Sequence, residues 1–201
     1  AKLSHRNKSL SSNVLQLYHN GFIPFCVHTT YFTLPEWGQP LHDDRALFEL
    51  LCLETYQSGL SWETVLNKRQ AFRESFYNYQ VQGVAEMMDA ELEDLLDNPT
   101  IIRNRAKIFA TRANAQAFLQ VQKTYGPFDA YLWSFVDEKT IINDVPDHSQ
   151  APAKTPLSEK LSQDLKKRGF KFTGPVAVLA FLQAAGLVDD HENDCEGKCG
   201  S

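Results

Sequence analysis

Glu54, Gln57 and Trp62 are the residues whose types and spacing could do chemistry together. Read as a helix, Leu47, Leu50 and Leu51 lie seven, four and three residues before Glu54 and share its face, and Gln57 follows three residues after it. A carboxylate is thus aimed along an apolar stripe. Burial without a partner is costly for such a group and drives it to take up a proton. Either it pairs with an arginine or lysine elsewhere in the core, or its charge is used. Gly59 would end the helix and Ser61 would cap the next, which places Trp62 just beyond a tight corner. A carboxylate and an indole beside one corner could line a pocket for a flat, positively charged aromatic ligand. The ring face would then add cation–π attraction of roughly 0.5–2 kcal/mol. Trp62 in an ordinary core is the plainer alternative.

A second constellation lies at the C-terminal end. His191, Cys195 and Cys199 follow one another at intervals of four, and i, i+4 residues on a helical turn can reach one metal. Zinc favours this mixture of imidazole and thiolate. Cys26 and His28 are the N-terminal candidates to complete the set, ahead of His19. A zinc ion held this way would be structural and would tie the chain ends together. Cys52, in the middle of the Glu54 helix, reads instead as a small core residue.

The elements that must position these groups are helical. Asp43-Asp44 can cap a helix over 44–58, the one that carries Glu54. A helix over 61–78 follows, with Val65, Leu66, Phe72 and Phe76 in the core, then short helices near 81–88 and 90–96, the second capped by Asp89. Asn98-Pro99 stops that pattern. After a tight turn, a long helix runs to about 124, where Gly126-Pro127 ends it. This helix–turn–helix could direct backbone N–H groups toward an anion, although the Gly-x-Gly usual in such DNA anchors is absent. Asp129 would cap a helix over 129–136, and 137–154 reads as a polar surface loop. Thr155-Pro156 opens a helix to about 168, closed by Gly169. Gly174-Pro175 opens an apolar last helix that ends at Gly186. No strand is expected.

The chain has 201 residues, of which 43% are hydrophobic and 22% charged, enough to build a sizeable core. The organisation expected is an N-terminal tail and leader helix over 1–20, one helical domain over 21–196, and a C-terminal tail over 197–201. No apolar run approaches the roughly 18 residues of a membrane span, and no export-type segment is present. A cytoplasmic location without a disulfide framework is therefore expected. The formal net charge of -5 argues against a broadly basic nucleic-acid surface. The cations are clustered, however, around Lys68-Arg69, Arg73, Arg103-Arg105-Lys107 and Lys160-Lys166-Lys167-Arg168. A small footprint on phosphates needs only a few of them on one face.

Taken in order, these segments resemble the bacterial 3-methyladenine DNA glycosylase I family over residues 36–196. The likeness runs through Glu36-Trp37-Gly38-Gln39-Pro40, Leu53-Glu54-x-x-Gln57-x-Gly59-Leu60-Ser61-Trp62 and Lys68-Arg69. It continues through Ile101-Ile102-Arg103-Asn104-Arg105-x-Lys107-Ile108, Leu132-Trp133-Ser134-Phe135-Val136, and Leu165-Lys166-Lys167-Arg168-Gly169-Phe170-Lys171-Phe172-x-Gly174. It ends at Asp190-His191 and Cys195.

The resemblance implies an all-α fold of the helix–hairpin–helix glycosylase superfamily with its two chain ends packed together. It also implies hydrolysis of the N-glycosidic bond of 3-methyladenine in alkylated double-stranded DNA, by a monomer that flips the base out. In its terms Glu54 is the catalytic carboxylate, and Trp62, Trp37, Phe32, Tyr31 and Gln57 are the base-binding set. Gly59 and Leu60 form the DNA-facing wedge, with Arg103, Arg105, Lys107 and Lys166 on the DNA backbone. His191, Cys195 and Cys26 are the matching zinc ligands. One departure is specific. Counting back from Glu36 without gaps, the family's Tyr-His-Asp-x pattern falls on Phe32-Thr33-Leu34-Pro35, so the zinc histidine becomes Thr33 and the tyrosine becomes Phe32, with Tyr31 adjacent. A binder of alkylated bases without efficient cleavage is the alternative function on the same fold.

Overall fold

The computed structural model describes residues 38–147, 151–193 and 198. The leader helix, Tyr31, Phe32, Trp37, Cys26 and Cys195 lie outside the described residues.

The central helix, α1 (Asp44–Gln57), is buried along almost its whole length, from Leu47 through Tyr56. Asp43 caps it, accepting the Ala46 N–H at 2.8 Å. Around it stand α2 (Trp62–Leu66) and α3 (Arg69–Ser75), then α4 (Val81–Ala85) and α5 (Asp89–Asp94). The long α6 (Arg105–Tyr125) and the short α7 (Phe128–Trp133) follow, and α8 (Pro156–Lys167) and α9 (Pro175–Ala184) complete the bundle. Thr155 caps α8, its side chain accepting the Ser158 N–H, and Pro stands at the first position of both α8 and α9. The core is strongly aromatic. Tyr56 stacks on Phe72 at 4.2 Å between ring centroids, and Phe118 on Phe128 at 4.0 Å.

The segment expected as one helix over 61–78 is broken twice. A first break at Asn67-Lys68 separates α2 from α3. A second, after Ser75, leads into Tyr77, Asn78 and Tyr79, all at positive φ. Burial of Tyr79 and the Arg45 hydrogen bond to the Asn78 carbonyl hold that unusual backbone. The loop over 137–154 is not wholly irregular either. Within it, β1 (Ile141–Ile142) pairs in parallel with β2 (Val188–Asp189), a short sheet that the exposed Ile141 and Ile142 gave no reason to expect.

Two caps also differ from expectation. Met88, not Asp89, precedes α5, and Glu91 reaches back to its N–H at 2.7 Å. The start of α7 is capped from outside by Asp44, because Asp129 is already inside the helix.

The start of the described chain lies against the end of the last helix. Gly38 N–H donates to the Ala184 carbonyl and Leu41 N–H to that of Ala185. Gly186, at φ +74°, is so close to this strap that a Cβ would stand 2.4 Å from the Gln39 carbonyl carbon.

Candidate active site

The site grows from the C-terminal end of α1. Glu54 is 2% exposed, and no described residue donates a hydrogen bond to either carboxylate oxygen. Its neighbours on the helix, Leu50, Leu51 and Leu53, are buried hydrocarbon. The core-pairing alternative therefore fails among the described residues. The buried carboxylate that does have arginine partners is Glu49, which accepts from Arg69 Nε at 2.6 Å and Arg73 Nε at 2.7 Å. Desolvation pushes the Glu54 carboxyl well above its ordinary range, so it tends to hold a proton.

The corner after α1 is a tight turn with a definite requirement. Leu60 N–H donates to the Gln57 carbonyl at 2.7 Å. Ser58 at φ −49°, ψ 110° and Gly59 at φ +84° give the backbone of a type II turn, whose third position demands positive φ. The Gln57 side chain also donates to the Leu60 carbonyl at 3.0 Å, so it braces the turn. Ser61 then caps α2, accepting the Thr64 N–H at 3.3 Å. Trp62 follows at 7% exposed, while Leu60 stands out at 37%. An apolar side chain is thus presented to solvent from a turn whose two flanks are pinned.

The hairpin between α5 and α6 lies beside this corner. Its loop is closed by Asn98, whose side chain accepts from the Thr100 N–H at 3.0 Å, and Asn104 caps α6, accepting the Lys107 N–H at 3.2 Å. Arg103 is exposed on the loop. Arg105 is exposed as well, paired with Glu93 and lying over the Phe109 ring at 4.5 Å. Lys166 is exposed on a different element, the last turn of α8.

Lys107 is not placed as a backbone contact. It is 7% exposed, and Nζ donates to the carbonyls of Tyr56 at 2.9 Å and Ser58 at 2.6 Å. Burial lowers its pKa. Lys68, one of the clustered cations, also turns toward the protein. Its Nζ reaches the loop from the other side, donating to the Thr100 carbonyl at 2.9 Å and the Pro99 carbonyl at 3.4 Å. The signal for Lys107 was available: it shares a face of α6 with the buried Thr111, Asn114, Phe118 and Val121.

At the C-terminal end, the His191 ring Nδ1 is 2.6 Å from the Asp189 carboxylate, which also accepts the His191 N–H at 3.0 Å. A carboxylate on one imidazole nitrogen is the arrangement that orients a metal-ligating histidine. The residues fit a zinc ligand to that extent. Among the described residues, no three His, Cys, Asp or Glu side chains converge as a metal cluster.

A mostly helical scaffold, with one two-residue strand pair, holds an unpartnered acid and an indole at a pinned corner beside a helical hairpin, the architecture of a helix–hairpin–helix glycosylase fold. The family model described as "Methyladenine glycosylase" matches residues 27–198, and the chain belongs to that family. It is 47% identical over 163 residues to the DNA-3-methyladenine glycosylase of Haemophilus influenzae, covering 81% of this chain and 88% of that one. It is 44% identical over 160 residues to DNA-3-methyladenine glycosylase 1 of Escherichia coli, covering 80% and 86%. A solved structure of a Tyr→Phe variant of 3-methyladenine DNA glycosylase I in complex with 3-methyladenine superposes with a TM-score of 0.82 at 40% identity, covering 88% of this chain and 98% of that one.

Proposed function

We propose that this chain is a monofunctional DNA glycosylase that removes 3-methyladenine from alkylated double-stranded DNA. The observation that carries the reading is Glu54, a buried carboxyl that no described residue satisfies, at the corner of a methyladenine-glycosylase fold. Alkylation makes the purine cationic and weakens its bond to the sugar. The enzyme must extract the base, favour the cation, and let water attack. As the C1′–N bond breaks, its electron pair passes to the ring, the base leaves neutral, and the water oxygen bonds to C1′ with loss of a proton.

Glu54 supplies the selectivity. In its apolar surroundings the carboxyl resists ionisation, but a cationic base brings the countercharge that makes the carboxylate favourable. It then accepts hydrogen bonds from the methylated adenine. An ordinary neutral purine brings no such charge. Trp62, together with Trp37 and the Tyr31-Phe32 pair, stacks on the base. Gln57 holds the turn from which Leu60 enters the gap left in the duplex. The hairpin, with Arg103 and Arg105, rests on the DNA backbone, and Lys166 adds a more distant contact. The protein acts as a cytoplasmic monomer, and His191, Cys195 and Cys26 would hold a structural zinc that would tie its ends together. About one equivalent of zinc per chain is expected by atomic absorption; less than about a tenth would remove the metal.

The direct test is base release from methylated duplex DNA, with the purines identified by chromatography. Release of 3-methyladenine, reduced roughly 10²-fold in Glu54→Gln with no fall in melting temperature, is expected. Folded protein that binds free 3-methyladenine but releases none would replace this reading with the non-cleaving binder.

A further inference from the structure

We propose that Lys107 and Lys68 are positioning residues that lock the backbone-gripping hairpin to the base-extracting corner, so that the two move as one body. The inference rests on the glycosylase reading for what the two parts do, but the brace itself is geometric. Each lysine stands on one part and binds backbone carbonyls of the other. Lys107, in the first turn after the hairpin loop, holds the Tyr56 and Ser58 carbonyls. Lys68, just after the corner helix α2, holds the Thr100 and Pro99 carbonyls of the loop. The link is thus made from both directions.

The chemistry suits the task. The last carbonyls of a helix have no intrahelical donor, and a cation there also meets the negative end of the helix dipole. Lys107 supplies both to the end of α1, immediately before the type II turn that presents Leu60. Thr111, one turn further along α6, fastens the same residue through its side chain, with Oγ1 2.9 Å from the Tyr56 hydroxyl. Thr100 and Pro99 lie in a loop that Asn98 closes from within, and Lys68 ties that closed loop to the corner. A duplex gripped by the hairpin is thereby held at a set distance from Leu60 and Glu54. Both lysines would otherwise be read as phosphate contacts. Lys107 in particular is buried, with two of its three donors already holding carbonyls, and is turned away from a phosphate.

The test uses Lys107→Met and Lys68→Met in the full chain. The brace predicts that single-turnover release of 3-methyladenine from duplex DNA falls roughly 10²-fold in Lys107→Met, as expected for misplaced reacting groups, and less in Lys68→Met. Affinity for free 3-methyladenine should stay within about twofold, because the base alone needs no register with the hairpin. The salt slope of duplex binding should be unchanged. A slope shallower by about 0.9 would make the lysine a phosphate contact and overturn the proposal. Equal loss of free-base and duplex affinity would make it a merely structural residue, and unchanged release would dismiss it. Amide hydrogen exchange reads the brace without chemistry: Lys107→Met should speed exchange in 57–62 and also in 98–104. Faster exchange in one segment only would sink the coupling. Should the wild type release no base, the glycosylase reading falls, and exchange alone decides the brace.

Discussion

The Asp44 carboxylate and the Phe128 N–H meet at 2.8 Å although 84 residues separate them in sequence. The same carboxylate accepts the Asp129 N–H at 2.8 Å and the Gln122 side-chain amide at 2.7 Å. A residue in the first turn of α1 therefore caps α7 and holds the end of α6. Asp44→Ala removes the carboxylate that accepts all three bonds and leaves two backbone N–H groups to find water. A loss of about 2 kcal/mol is expected, or roughly 4–8 °C in Tm for a chain of this length. Base release below the transition should be unaffected, since the cap lies away from Glu54. Calorimetry beside a release assay checks both halves.

This cap shows where sequence reasoning stops. Asp44 and Asp129 each read as a local N-cap, and nothing local reveals that one serves the other's helix. Patterns with a short period were legible: α1 with Glu54 on its leucine face, α6 after the hairpin, the proline starts of α8 and α9, and the Gly59-Leu60-Ser61-Trp62 corner. Neither break in 61–78 is marked by glycine or proline; at the first, Lys68 is drawn to the hairpin carbonyls, and at the second, Tyr79 is drawn into the core. The parallel pairing of Ile141–Ile142 depends wholly on Val188–Asp189, a partner over forty residues away. The resemblance and its charge put Lys107 on the DNA backbone, but its place on the buried face of α6 prevails.

Glu49 and Glu54 sit five residues apart on one helix and should respond oppositely to loss of charge. Glu49 is 2% exposed between Arg69 and Arg73, which are 17% and 32% exposed. Glu49→Gln leaves two guanidiniums facing a neutral amide and should cost about 3 kcal/mol, the lower end for a broken buried pair because the arginines retain solvent. Arg73→Met, which leaves Arg69 in place, should cost less. Urea unfolding of the two variants gives the order, and a larger loss for Arg73→Met would contradict it.

Gly186→Ala tests the strap that joins the described start of the chain to the last helix. The added methyl would meet backbone at 2.4 Å and stand on a residue at φ +74°. Neither a rotamer change nor a side-chain shift relieves a clash with backbone, so more than about 2 kcal/mol is expected. Gly169→Ala is the control. It ends its helix with the same pair of backbone hydrogen bonds, also at positive φ (+98°), and has open space where the Cβ would go, so it should show the conformational strain alone. Equal losses in the two variants would mean that the close approach to Gln39 and Pro40 contributes nothing.

The sharpest pH dependence should come from Glu54. Its carboxyl is raised well above 4.5 in the folded chain by desolvation, while the unfolded chain titrates near the ordinary value. Above that value the folded protein still holds a proton that the unfolded chain has lost. Stability therefore falls as pH rises and levels off once the folded value is passed. Glu54→Gln has no proton to lose. Its stability should match the wild type at about pH 4.5 and exceed it increasingly toward neutral pH. The same titration should appear in catalysis with the opposite consequence. A cationic base needs the carboxylate, so kcat/KM should climb on an acid limb that reports the raised pKa of the free enzyme, and Glu54→Gln should flatten that limb. Melting temperatures of the two proteins across the pH range, set beside kcat/KM profiles, read one ionisation in two ways. A stability difference that does not change with pH would show that Glu54 gains a partner in solution. The selectivity for a cationic base would then need another source.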